Sequence, residues 1–177
     1  MRLSSSVTVR AARQSDRPGI VELVLRAKRL NEEFDPLLRL SPTVSQAVEK
    51  YVDEALQSSR SLVLVAEYEG KLVGVLKADI VDRLFYDPPL EGIIRELYVL
   101  PEFRRKGVAS LLVLEGSRIL KERDAGIITA EFPSLHKIAA EFYENMKFRP
   151  IFSKYAIETE KTLRQNGGLS RVAELRR

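Results

Sequence analysis

Arg95-Glu96-Leu97-Tyr98-Val99-Leu100-Pro101-Glu102-Phe103-Arg104-Arg105-Lys106-Gly107-Val108-Ala109-Ser110-Leu111-Leu112-Val113 reads as a strand, a tight basic loop and the opening of a helix. Ile93, Ile94, Leu97, Tyr98 and Val99 favour a strand, which must stop at Pro101 because proline cannot donate to a ladder. Beyond the loop, Val108, Leu111, Leu112 and Ile119 recur at helical spacing. The first N–H groups of a helix lack intrahelical acceptors, and the helix dipole adds partial positive charge there. Such a loop therefore makes an anion site. Gly107 lets a ligand approach the backbone, and the small Ala109 keeps the approach clear. Three consecutive cations, Arg104, Arg105 and Lys106, favour a pyrophosphate. Neither G-x-x-x-x-G-K-[ST] nor G-x-G-x-x-G fits, so both common nucleotide fingerprints fail.

Working outward, the chain of 177 residues fits one α/β domain, placed at residues 1–160 with a basic tail at 161–177. Val7 and Val9 suggest an edge strand. Ser15 or Asp16 can cap a helix that has Pro18 in its first turn and Ile20, Leu23, Val24, Ala27 and Leu30 as its apolar stripe. Thr43 and Gln46 have capping-box spacing before a second helix carrying Val44, Ala47, Val48, Tyr51, Val52 and Ala55. Residues 62–67 and 72–80 form a hairpin about Glu69-Gly70-Lys71, with a bulge expected at Gly74. After the central loop and helix, Gly126 is expected to terminate the helix. Residues 127–132 give a strand, Leu135, Ile138, Ala139, Phe142 and Met146 a helical stripe, and residues 148–158 a final strand. Asn166-Gly167-Gly168 opens the tail.

Composition removes several classes of chemistry. There is no cysteine, and His136 is the sole histidine, so a zinc site and a thiol nucleophile lack their ligands. No G-x-S-x-G accompanies His136, which argues against a serine hydrolase. No apolar run reaches the ~20 residues that span a bilayer, and the first residues have no export-signal core, so a cytoplasmic location is expected. Lys and Arg number 29 against 25 Asp and Glu, and residues 161–177 account for the excess. That basic tail could meet nucleic acid, but no nucleic-acid motif accompanies it.

Arg104-x-x-Gly107-x-Ala109, preceded by Leu-Tyr-Val and a proline, resembles the acyl-coenzyme A loop R/Q-x-x-G-x-G/A of the GNAT superfamily of N-acetyltransferases. A second stretch, His136 to Phe148, resembles that family's N-x-x-A-x-x-F/L-Y-x-x-x-G-F, with Ala139, Phe142, Tyr143 and Phe148 in register. His136 replaces the usual Asn and Lys147 the usual Gly. The order of elements over residues 7–158 matches as well. The resemblance implies a mixed, mostly antiparallel central sheet with a splayed pair of strands and helices on both faces. It implies acetyl-coenzyme A as co-substrate, no metal, an amine acceptor, and room for a homodimer. Leu97, Tyr98 and Val99 would pair with the pantetheine arm, and Arg104, Arg105, Lys106, Gly107, Val108 and Ala109 would hold the pyrophosphate. His136 would contact the cofactor.

In this reading a primary amine attacks the thioester directly, without a covalent enzyme intermediate. An amine near pKa 10 is about one part in a thousand free at neutral pH, roughly a 4 kcal/mol penalty, so a carboxylate base helps. Glu96 on the central strand and Glu131 at the end of the next are the two candidates. Tyr143 is the candidate acid for the leaving thiolate. The departures at His136 and Lys147 leave a second reading open, a catalytically silent acyl-coenzyme A sensor or scaffold. The acceptor is unreadable: residues 31–42 and 82–90, which would meet it, carry no code.

Overall fold

A computed structural model describes residues 6–165, and the chain divides after Lys147 into two units. In the first unit the alternating segments form a five-stranded sheet in sequence order: β1 (Thr8–Ala11), β2 (Ser61–Tyr68), β3 (Lys71–Asp82), β4 (Leu90–Val99) and β5 (Ile127–Ala130). All neighbours are antiparallel except β4 and β5, which run parallel. The β2–β3 turn is Glu69-Gly70, both at positive φ, as a two-residue hairpin with right-handed strand twist requires. The expected irregularity falls beside Gly74, where the register skips between Ala66 and Glu67. A second one, between Lys77 and Ala78 of β3, leaves Arg95 as the extra residue of β4.

The predicted helices form as α1 (Arg17–Glu32), α2 (Val44–Gln57), α3 (Val108–Glu122) and α4 (Lys137–Asn145). Helices α1 and α2 cover one face, where Ile20, Leu23, Val24, Val48 and Val52 meet Val63, Val65, Val75 and Tyr98. Helix α3 covers the other: Gly116 lies against Leu64 and Leu76, and Gly92 of β4 against Leu120. Leu64, Leu76, Leu112 and Leu120 are almost wholly buried, each stabilising the fold by about 1.5–3 kcal/mol. This packing covers β3 and β4 on both faces at the centre of the sheet.

Several local expectations are corrected. Thr43 begins α2 but its side chain does not cap the helix; its hydroxyl faces that of Ser41 instead. Helix α3 ends at a left-handed Asp124, with Asp124 N–H bonded to Lys121 and Ala125 N–H to Leu120, so Asp124 and not Gly126 is the terminator. Gly126 answers a packing need, because a Cβ there would sit 2.3 Å from Pro88. Strand β5 stops at Ala130, two residues early, and Leu135 and Ile138 are exposed, leaving Tyr143 as the buried residue of α4. Residues 148–158, expected as a strand, are irregular. The second unit's one described helix is α5 (Thr159–Gln165), which holds the Arg164–Glu160 pair and whose Lys161 pairs with Glu158 just before it. Most of the basic tail, with Asn166-Gly167-Gly168, lies outside the described residues.

Candidate active site

The parallel pairing of β4 with β5 runs only from Glu91–Ile127 to Ile94–Ala130. One more bond follows, Glu131 N–H to the Ile94 carbonyl at 3.1 Å. The extra residue Arg95 follows as a bulge in β4, and Leu97, Tyr98 and Val99 pair with β3 on one side and, among the described residues, with no strand on the other. An open strand edge offers unpaired backbone donors and acceptors to an extended ligand. At its end the chain makes a short 3-10 turn, Pro101–Phe103, and enters α3 through the basic loop. Gly107 is left-handed (φ 79°) and so is Arg105 (φ 58°). A Cβ on Gly107 would meet nothing within 4 Å, so the glycine is required by its dihedral angle, and the space before the helix N-terminus is open.

The loop's cations do not act alike. Arg104 Nε donates to the Val99 carbonyl at 3.0 Å and its guanidinium lies over the Tyr98 ring. Lys106 folds over Phe103. Arg104, Arg105, Lys106 and Gly107 are exposed, Ala109 is half-buried, and Val108 is a core residue, so Val108 can offer a ligand only its backbone. His136 precedes α4, half-buried and stacked on Phe34 at 4.3 Å between centroids. Burial, and secondarily the nearby Arg104, push its pKa down, so the imidazole is neutral at pH 7.

The sequence profile described as the acetyltransferase (GNAT) family matches residues 28–148, more than half of the chain and the whole of this site. The chain belongs to the GNAT family of acetyltransferases. A curated relative, an uncharacterized N-acetyltransferase of Archaeoglobus fulgidus, is 26% identical over 141 residues, 80% of this chain and 92% of its own length. Among solved structures, the aminoglycoside N-acetyltransferase AAC(6')-Iy in complex with CoA superposes with a TM-score of 0.72 at 16% identity, covering 90% of this chain and 98% of that one. A predicted acetyltransferase from Clostridium acetobutylicum with acetyl-CoA gives 0.72 at 15% identity, covering 88% and 98%. At these identities the structural likeness speaks for the fold. Among the described residues no helix is long and apolar enough to cross a membrane.

The acetyltransferase's two candidate carboxylates have opposite surroundings. Glu96 is 4% exposed and sits beneath α1 and α2. Lys28 of α1 reaches it with its ammonium, and the Tyr51 hydroxyl of α2 donates to the same oxygen, Oε1, at 3.3 Å. Burial raises the pKa of Glu96 above the usual carboxylate range, and Lys28, Tyr51 and Lys77 pull it partly back. Glu131 is exposed, one residue past β5, and pairs with Arg95 at 2.5 Å. The groups between them are linked: Lys77 lies 4.4 Å from the Tyr51 ring and 2.5 Å from Asp79, and Arg95 is 3.6 Å from Asp79. Sequence reasoning missed Lys28, Tyr51, Lys77, Asp79 and Arg95. The available signal was Lys77 and Asp79 sharing one face of a central strand that otherwise reads as buried.

Tyr143 is buried, stacked on Phe132 at 5.3 Å and edge-on to Phe142 at 5.1 Å. Burial raises its pKa, so the phenol holds its proton throughout the neutral range. It is therefore in the form that an acid requires.

Proposed function

We propose that this acetyltransferase moves the acetyl group of acetyl-CoA to a primary amine by direct attack in a ternary complex. The observation that carries the reading is the gap between β4 and β5, which opens beside a left-handed basic loop at the start of α3. The edge at Leu97, Tyr98 and Val99 fits the amide-bearing arm of coenzyme A. The amides at Val108 and Ala109, with Arg105 and Lys106, fit its pyrophosphate, and His136 and Arg104 flank the arm. A backbone N–H on the open edge is suited to the oxyanion that develops at the acetyl carbonyl.

Glu96 takes the proton of the acceptor ammonium, directly or through water, because its raised pKa moves it toward the pH at which a base works best. Glu131, exposed beside the gap, attracts a cationic acceptor. The amine forms a bond to the acetyl carbon, the carbon–sulfur bond breaks, Tyr143 donates its proton to the departing thiolate, and the second proton that the nitrogen sheds as the amide forms returns to the phenolate directly or through water. Cofactor binding is tested by melting: acetyl-CoA raises Tm by mass action, and joint Arg105→Glu and Lys106→Glu abolish the rise. An undiminished rise would show that this loop is not the site. Turnover is tested by release of free thiol with a panel of primary amines. Binding with no amine-dependent release from any of them would favour the silent sensor instead.

A further inference from the structure

Glu96 is a carboxylate only 4% exposed in the middle of the sheet, where charged side chains are almost never found unpaired. An ionised carboxylate so placed costs several kcal/mol unless it is paired and hydrogen-bonded. Its partners come from other elements. Val24 and Lys28 are four apart on α1, so Lys28 lies one turn beyond a residue buried against the sheet, and its aliphatic stem can run along the core. Its side chain keeps 32% exposure, so the ammonium bridges solvent and the buried oxygen. Tyr51, from α2, supplies the hydroxyl. The two helices thus close over one oxygen of one strand residue.

We propose that Lys28 and Tyr51 are positioning residues that hold Glu96 ionised and aimed, and so set the pH at which the acetyltransferase can accept a proton. The kinetic part rests on the reading of Glu96 as the base; the electrostatic part does not. The described charged and titratable groups on this face include Lys28 from α1, Tyr51 from α2, Lys77 and Asp79 from β3, and Arg95 and Tyr98 on β4 itself. Lys77 also favours the ionised form of Glu96, whereas Asp79 lies beyond Lys77 and is paired with it and with Arg95. Lys28 is the direct ionic contact, so its removal has the largest effect. Tyr51 contributes a hydrogen bond and no charge, so its effect is smaller and of the same sign.

The test follows the Glu96 carboxyl carbon by NMR in the full chain labelled at glutamate, with Glu96→Gln assigning the signal. Lys28→Met should move the Glu96 titration upward by about one unit or more, as loss of an adjacent opposite charge does. Lys28→Arg should restore it, and Tyr51→Phe should raise it by less. An unmoved titration in Lys28→Met overturns the proposal; should that variant fail to fold, an unmoved titration in Tyr51→Phe does the same. The pH dependence of kcat/KM for acetyl-CoA, with the most reactive amine of the panel, is the second readout. An acidic limb that moves with the carboxyl signal supports both readings. A carboxyl signal that moves while the limb stays supports the positioning role and removes Glu96 as the base. A merely structural Lys28 would lower Tm and leave the titration where it was.

Discussion

On the proposed reading Tyr143 unites two properties that usually oppose each other in a catalytic acid: it is buried among aromatic rings, and it would have to face a reacting atom. Burial raises its pKa, so the phenol stays protonated through the working range and is available to donate, while being a weaker acid than an exposed tyrosine. Tyr143→Phe keeps the ring and its stacking and removes only the hydroxyl, so the acetyl-CoA-induced rise in Tm should persist. Amine acetylation should lose about 10²-fold or more in kcat. Comparable turnover would remove Tyr143 from the chemistry, and a collapsed melting transition would mark its hydroxyl as a structural contact. The two glutamates separate by the same reasoning. Glu96→Gln should abolish the acidic limb of kcat/KM and cost about 10²–10⁴ in rate, while Glu131→Gln should raise KM for a cationic amine and keep the limb. The opposite pattern would transfer the base role to Glu131. These three candidates could be singled out in the sequence because each stands in or beside a motif. Their partners were not: Lys28 and Tyr51 lie 68 and 45 positions from Glu96, on helices whose periodicity gives a face but not a destination.

The chain's turning points show where local sequence rules succeed and where packing overrides them. Glu69-Gly70 and Gly107 follow backbone demand, and both stand out in the sequence. Gly126 looked like a helix terminator, yet the left-handed position belongs to Asp124, and Gly126 is needed because Pro88, from a distant loop, presses on it. No local pattern reveals such a contact. The strand expected at residues 148–158 has apolar residues enough, but Phe152 and Tyr155 are exposed and no ladder forms among the described residues. Propensity alone does not make a strand without a partner. Two substitutions test these assignments. Gly126→Ala should destabilise by about 1–3 kcal/mol, because the added methyl must displace the Pro88 ring, and a melting temperature within error of the parent would contradict that. Lys147 stands left-handed at φ 69° where the family resemblance has glycine. Lys147→Gly should stabilise by about 0.5–1 kcal/mol, the relieved strain less the added chain entropy, seen as a Tm higher by about 1–4 °C. A lower Tm would mean that the lysine side chain contributes more than its backbone costs.

At the scale of the whole fold, the proposed chemistry lies where the sheet stops being a sheet. Four antiparallel or parallel pairings hold β1 to β5 together, two layers of helices exclude water from both faces, and the bulge at Arg95 releases β5 from β4. Element order and the two motifs made this architecture readable, since they locate the central strand, its loop and its neighbour. The cost of the arrangement was hidden, because it lies in a carboxylate held inside the fold. That cost has a sign that can be measured. The folded-state pKa of Glu96 is raised above its unfolded value, with burial as the main cause. Its contribution is therefore fully favourable below the unfolded pKa, near pH 4, where both states are protonated. As pH rises through the folded value, the folded state must surrender a proton that it binds more tightly than the unfolded chain does, and stability is lost. Glu96→Gln has no such proton. Urea unfolding of both proteins between pH 4 and pH 8 should show the parent losing ground to Glu96→Gln as pH rises, with Lys28 limiting the loss. Adding Lys28→Met to the parent should widen the gap at neutral pH and leave it nearly unchanged at pH 4. A difference that is constant with pH, or that grows in favour of the parent, would show that the buried carboxylate stabilises this fold and that its pairing with Lys28 outweighs its burial.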